Sequence, residues 1–482
     1  MIFLIPLSLA FLTGFFLIAV VLRGSPIPNK LFFLSALSFP AGLGIFSFML
    51  FVSYALFSRQ SAAASLLFCV LSFCAFAVFY RQAFIALWKD CRLLPRTFKT
   101  HFDSKWKKTS LGPKLVFVFL LMLLAGSLAA FSQSFFTRSI SDFYGGWDAR
   151  YFWNLKAKFF FRAPSEWKGM FHSALCWSHP DYPLLVPGAV AWGWESLKAE
   201  APAWPTLVGY VFSLSLVLLV IWYLSAFVSA ASAVLSGAFL LCVPAFRLWS
   251  ATQYADVPLA FFMTASSLSL VLAFRNQDRN LFLLSGLLAG LGAWTKNEGL
   301  SFLLLLGLCL VFLLWREKGK DARTKTAWAF RFFLGGAVFA AAVLYIKIFL
   351  DPCGNEFVSS RRSLPAVLAL LLDPRRIQIV AGAYGFFIFS PALWRGLWVP
   401  FFAALLLSKA GRGRPLAFLP AFLVLAQETV YFFILVSTPT DLYNQLQTAL
   451  TRLMVHCAPL ALIFAVETLG RFGLSKRSAA SS

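Results

Sequence analysis

Apolar runs of about 18 or more residues recur along almost the whole chain, and a run of that length crosses the hydrocarbon core of a bilayer as one helix. They fall near 1–22, 31–57, 61–80, 115–133, 205–223, 226–243, 257–274, 281–295, 299–315, 330–350, 393–408, 415–436 and 449–468. In lipid every backbone N–H and C=O must be bonded within the protein, so segments of this kind become helices. The reading is an all-α polytopic membrane protein with about 13 transmembrane helices and amphipathic outer-loop helices. Composition agrees: 60% of the 482 residues are hydrophobic and 13% are charged, where an ordinary soluble domain has about a quarter charged.

The formal net charge is +23, which in a soluble chain would suggest nucleic acid. Here the lipid bilayer is the expected partner, and no nucleic acid is expected. Lys and Arg collect in cytoplasmic loops and meet anionic headgroups there. Residues 81–114 hold nine Lys/Arg against two acids, and 316–331 hold six against two. Lys409, Arg412 and Arg414 form a third cluster, and Arg471, Lys476 and Arg477 a fourth. All four are placed inside, which puts the N-terminus outside. The first Lys or Arg is Arg23, so residues 1–22 lack the basic start of a signal peptide and read as a retained span. Cys176 and Cys353 fall in outer loops and are free to pair in an oxidising compartment.

The long loop 134–204 carries "GGWDARYFWNLKAKFF". On a helix at 100° per residue, Phe152, Leu155 and Phe159 lie within about 40° of Asp148, with Arg150, Asn154 and Lys158 opposite. Asp148 then heads an apolar stripe, either as an N-cap or as a general base or acceptor-holding carboxylate. "HPDYPLL" crowds His179, Asp181 and Tyr182 between prolines, as a rigid loop at the interface or as site residues. Asp256 in "YADVPLAFF" precedes a span, again as a helix start or as a functional acid.

"TKNEG" separates two short segments. Fifteen residues reach only about 22 Å, less than the core of a bilayer, so this break is expected below the outer surface. Lys296 there and Arg452 before the last span suit phosphate, or else snorkel at helix ends. Lys296 and Glu298 are two apart and are expected to have separate partners.

This order of elements resembles the GT-C superfamily of lipid-phosphosugar-dependent glycosyltransferases, nearest the bacterial protein O-mannosyltransferase and aminoarabinose-transferase types. The resemblance covers about 115–468, taken as a GT-C-like catalytic core. Residues 1–114 are then an N-terminal accessory region and 469–482 a cytoplasmic tail. It implies transfer of a sugar from a polyprenyl-phosphate donor to a lipid, polysaccharide or protein acceptor by an inverting displacement. The expected place is the outer face of the cytoplasmic (inner) membrane, facing the periplasm or exterior. Asp148 would be the base, Asp256 its support, and Lys296 and Arg452 the donor-phosphate ligands. Trp147, His179, Asp181, Tyr182 and Glu298 would be supporting residues. No cofactor is required. A divalent metal is possible, although Ala149 stands where many members have a second acid. The alternatives are a transporter or flippase of lipid-linked glycans, and a glycan polymerase or ligase using lipid-diphosphate donors.

Overall fold

A computed structural model describes residues 2–57, 62–79, 81, 110–354, 363–408 and 415–480. Most of the basic cluster at 81–114, the cluster of Lys409, Arg412 and Arg414, and the side chains of Lys476 and Arg477 lie outside the described residues. Every regular element among the described residues is helical.

The chain begins with α1 (Leu4–Val21), α2 (Lys30–Phe57), α3 (Ala62–Phe79) and α4 (Leu111–Ser141). The loop after α4 holds α5 (Asn154–Arg162) and α6 (Leu185–Leu197). Then follow α7 (Ala203–Phe227), α8 (Ala230–Cys242), α9 (Pro244–Ser250), α10 (Asp256–Asn276), α11 (Arg279–Thr295), α12 (Asn297–Arg316) and α13 (Ala322–Tyr345). The last group is α14 (Leu364–Leu371), α15 (Pro374–Ile388), α16 (Pro391–Trp394), α17 (Trp398–Leu407), α18 (Pro415–Val436) and α19 (Leu442–Ala480).

Nine helices among the described residues are long and apolar enough to cross a membrane, not 13. The all-α membrane class stands and the count is corrected. Three of the other expected spans fail for visible reasons. Pro244 ends one, so that α8 and α9 meet at 66°. The 393–408 segment breaks at Arg395, whose positive φ ends α16 and leaves α17 only 10 residues long. In α11 there are only 17 residues. The fourth, at 61–80, is among the described residues a shorter apolar helix over Leu67–Val78.

At the centre lies α10, with every residue from Asp256 to Phe274 buried. Its neighbours are α7, α11, α18 and α19. A Cβ at Gly286 of α11 would stand 1.8 Å from the Phe332 carbonyl, so this glycine lets α11 and α13 approach backbone to backbone. Against α6 and α7 packs α2, which also ties down the loop: Tyr54 donates to the Phe160 carbonyl at 2.7 Å and Ser47 to the Leu184 carbonyl at 2.9 Å. At the far end of α10, Arg275, Arg471 and the Tyr223 hydroxyl all donate to Glu467. This leaves the other end of α10 to the loop and to the charged residues picked out above.

Candidate active site

Asp256 is the first residue of α10, but its carboxylate does not cap the helix. Instead Oδ1 accepts from Lys296 Nζ at 2.9 Å and from His456 Nε2 at 3.0 Å, and Oδ2 accepts from Arg452 Nε at 3.0 Å. The residue is fully buried, and three donors are what an acid there needs to remain ionised. The donors come from two distant places in the chain. Lys296 is the extended residue between α11 and α12, while Arg452 and His456 sit one turn apart on α19.

The break at Lys296 is buried in protein, where non-helical backbone is tolerated. Gly299 permits it: a Cβ there would meet the Gly292 carbonyl oxygen at 1.9 Å. Lys296 and Glu298 do not have separate partners, as their spacing suggested. They pair directly, Nζ to Oε1 at 2.7 Å, because Lys296 lies outside both helices and the helical-face argument does not apply to it.

Asp148 reaches the same group. Its Oδ2 lies 2.6 Å from Arg452 Nη2, so one guanidinium joins two carboxylates. The faces of Tyr254 and Trp249 flank that guanidinium, with ring centroids 4.6 and 5.6 Å away. The Asp148 N–H donates to the Tyr254 hydroxyl at 3.2 Å. Burial, with the Asp148 carboxylate second, raises the pKa of that hydroxyl. No cap bond forms at Asp148.

The helical wheel misplaced the buried face here. Residues Ala149–Trp153 form a π turn, whose wider winding shifts the register before α5 begins. The buried positions are Ala149, Trp153, Asn154, Lys156, Ala157 and Phe160, not the stripe through Phe152 and Phe159. Trp147 is exposed, its ring tilted against that of Tyr151 with centroids 4.3 Å apart.

His179, Asp181 and Tyr182 form an adjoining cluster. Asp181 accepts from Asn297 Nδ2 at 2.6 Å and from Lys347 Nζ at 3.4 Å, and lies 4.0 Å from His179 Nδ1. The Tyr182 ring stacks between His179 and Trp153. Lys156, buried beside these rings, donates to the His179 carbonyl at 2.5 Å. Burial is the main cause that brings its pKa down to about 7. Cys176 and Cys353 are joined as a disulfide, with Cα atoms 5.7 Å apart, tying this loop to the segment after α13.

Asp148, Arg452, Asp256 and Lys296 are thus linked in one chain of ion pairs, and Glu298 joins it through Lys296. A hollow of about 410 Å³ lies elsewhere, between Arg375, Arg376, Thr440 and Tyr443. Among the described residues no group of three or more His, Cys, Asp and Glu could hold a metal ion. The carboxylates here are met by Lys, Arg and His donors, a set that does not fit a divalent ion.

A family model described as dolichyl-phosphate-mannose-protein mannosyltransferase matches residues 179–346, about a third of the chain. That stretch contains His179, Asp181, Tyr182, Asp256, Lys296 and Glu298, and leaves out Asp148 and Arg452. No curated protein and no solved structure gives a match. The family match supports a membrane glycosyltransferase of the GT-C superfamily.

Proposed function

We propose that the protein transfers a sugar from a polyprenyl-phosphate donor to an acceptor hydroxyl, by one inverting displacement at the end of the bundle where Asp256 lies. The observation that carries this reading is the double engagement of Arg452, 2.6 Å from Asp148 and 3.0 Å from Asp256. An incoming donor phosphate competes for that guanidinium. When it takes Arg452, Asp148 loses the one charged partner it has among the described residues and becomes free to accept a proton.

The acceptor hydroxyl then attacks the anomeric carbon and gives its proton to Asp148. The bond from that carbon to the phosphate oxygen breaks, and its electron pair leaves with the polyprenyl phosphate. Arg452 and Lys296 stabilise the charge that gathers there. Asp256 has three donors already, so its role is to hold these cations in place rather than to take a proton.

Two features support an outward-facing site. The basic stretch from Arg316 to Arg331 lies at the opposite end of α12 and α13, where the bias of cytoplasmic loops would place it inside. The Cys176–Cys353 disulfide is on the site's own side and suits an oxidising compartment. A flippase would more often hold its charges near the midplane. Here they gather at helix ends.

The test is purified protein in vesicles with a polyprenyl-phosphate sugar. Asp148→Asn, which keeps size and loses the base, is expected to bind donor and lower turnover by a factor of about 10² or more. Unchanged turnover would remove Asp148 from the base role. A wild-type protein that binds no polyprenyl phosphate would remove the whole reading.

A further inference from the structure

The ion pairs of the site do not sum to zero. Asp148, Asp256 and Glu298 stand against Lys296 and Arg452, three acids to two bases, which leaves a net charge of −1. A donor phosphodiester brings another negative charge into this buried place. Such a charge is costly unless something compensates it.

His456 is the group built to do so. It is fully buried and holds Asp256 through Nε2. A carboxylate that also receives Lys296 and Arg452 is an acceptor, so Nε2 carries a hydrogen. The other nitrogen, Nδ1, faces the Tyr431 hydroxyl at 2.8 Å. A hydroxyl both donates and accepts, so it serves a neutral ring as donor and a protonated ring as acceptor. In the second case the tyrosine hydrogen needs a new acceptor. Gln427, fully buried one turn earlier on the same face of α18, leaves its amide oxygen without a hydrogen-bond partner. Its amide nitrogen is already used, on Ser301 at 3.1 Å.

The charged and titratable groups around His456 are therefore Asp256 from α10, Lys296 and Glu298 from the break, Arg452 from its own helix, Tyr431 from α18 and Asp148 from the loop. Glu428 of α18 accepts from the Tyr384 hydroxyl at 3.2 Å and lies beside Cys457, the residue after His456.

We propose that His456 takes up a proton at Nδ1 when the donor phosphate binds, while the Tyr431 hydroxyl turns from His456 to the amide oxygen of Gln427. The proton comes from solvent and is released when the polyprenyl phosphate departs. This rests on the reading of the donor given above. It adds His456 as a positioning residue that matches the charge of the pocket to its ligand.

The probe is a polyprenyl methyl phosphate, a diester whose single charge is fixed across the pH range, titrated calorimetrically into the full-length protein in detergent. Wild-type affinity is expected to weaken by up to about tenfold per unit as pH rises above the histidine range. In His456→Gln, which keeps a donor for Asp256 but cannot take a proton, that slope is expected to disappear. A slope that survives the substitution assigns the proton to another group, Lys156 included, and overturns the proposal. The wild type alone gives a second measurement. Titrations at one pH in two buffers of unlike ionisation heat count protons directly, and uptake near zero overturns the proposal with no variant needed. A wild type that does not bind the diester at any pH overturns the donor reading itself, whereas binding without proton uptake overturns only the role of His456.

Discussion

Asn297 Nδ2 donates to Asp181 Oδ2 at 2.6 Å, and this bond joins the proline-rich loop to the residue between Lys296 and Glu298. The loop thereby reaches the charged site without contributing a charge to it. Asp181 is 2% exposed and also takes Lys347, so it is the anchor of two separate elements.

Asp181→Ala removes the acceptor of Asn297 and leaves Lys347 only the backbone carbonyl of residue 181, at 3.2 Å in the wild type. The expected loss is about 2 kcal/mol of stability, the order of a buried donor left unpaired. Because Asn297 adjoins Lys296, the apparent KM for donor is also expected to rise several-fold. Thermal unfolding in detergent and donor titration check the two parts. An unaltered melting point would show that the loop is held by packing alone.

Gly299 offers a test that touches no charged group. Its Cβ position falls 1.9 Å from the Gly292 carbonyl oxygen and 2.8 Å from the Ala293 nitrogen, both backbone atoms that no rotamer change can move. Gly299→Ala is therefore expected to push α11 and α12 apart and carry Lys296 away from Asp256. The expected outcome is a folded protein with donor binding weakened at least tenfold, or no folded protein. Full donor affinity in a stable Gly299→Ala protein would show that the break is wider than 1.9 Å allows.

Why Asp148, Asp256, Lys296 and Arg452 were legible in the sequence follows from the cost of charge near lipid. An acid or base beside a span needs a partner, so each one stands out against an apolar background. His456 had a usable signal too: it lies four residues after Arg452, and on a helix that spacing puts both on one face. Tyr431, Tyr254 and Asn297 had none, because tyrosine and asparagine are unremarkable in span ends and loops. Their roles come from pairings across distant parts of the chain, which local pattern does not encode. The same limit applied to the loop helix. Nothing in "ARYFW" marks a π turn, so a wheel drawn at 100° put Asn154 on the solvent side, although it is buried against Gln253 at 3.0 Å. The excess of spans has a simpler origin: hydropathy measures how apolar a segment is, not whether Pro244 or Arg395 interrupts it.

Lys156 gives the last expectation, a pH dependence of stability. Burial lowers its folded pKa to about 7, against about 10.4 in an unfolded chain. Between those values the unfolded state binds the extra proton, so this group makes stability rise with pH over that window. Below about 7 the lysine is charged in both states and the contribution levels off at its least favourable value. Tyr182 works in the opposite direction, since burial, together with nearby acids, raises its pKa well above the usual value. Its contribution is intact below about 10 and lost above it, which sets the upper limit of a clean measurement. Lys156→Met keeps most of the side-chain volume and removes the titration. Melting points of both proteins, taken from pH 6.5 to pH 9, are expected to converge as pH rises, with the methionine variant the more stable at the acid end. Parallel curves would mean that Lys156 keeps its charge throughout, held by Asp181 and Asp351 against the cost of burial.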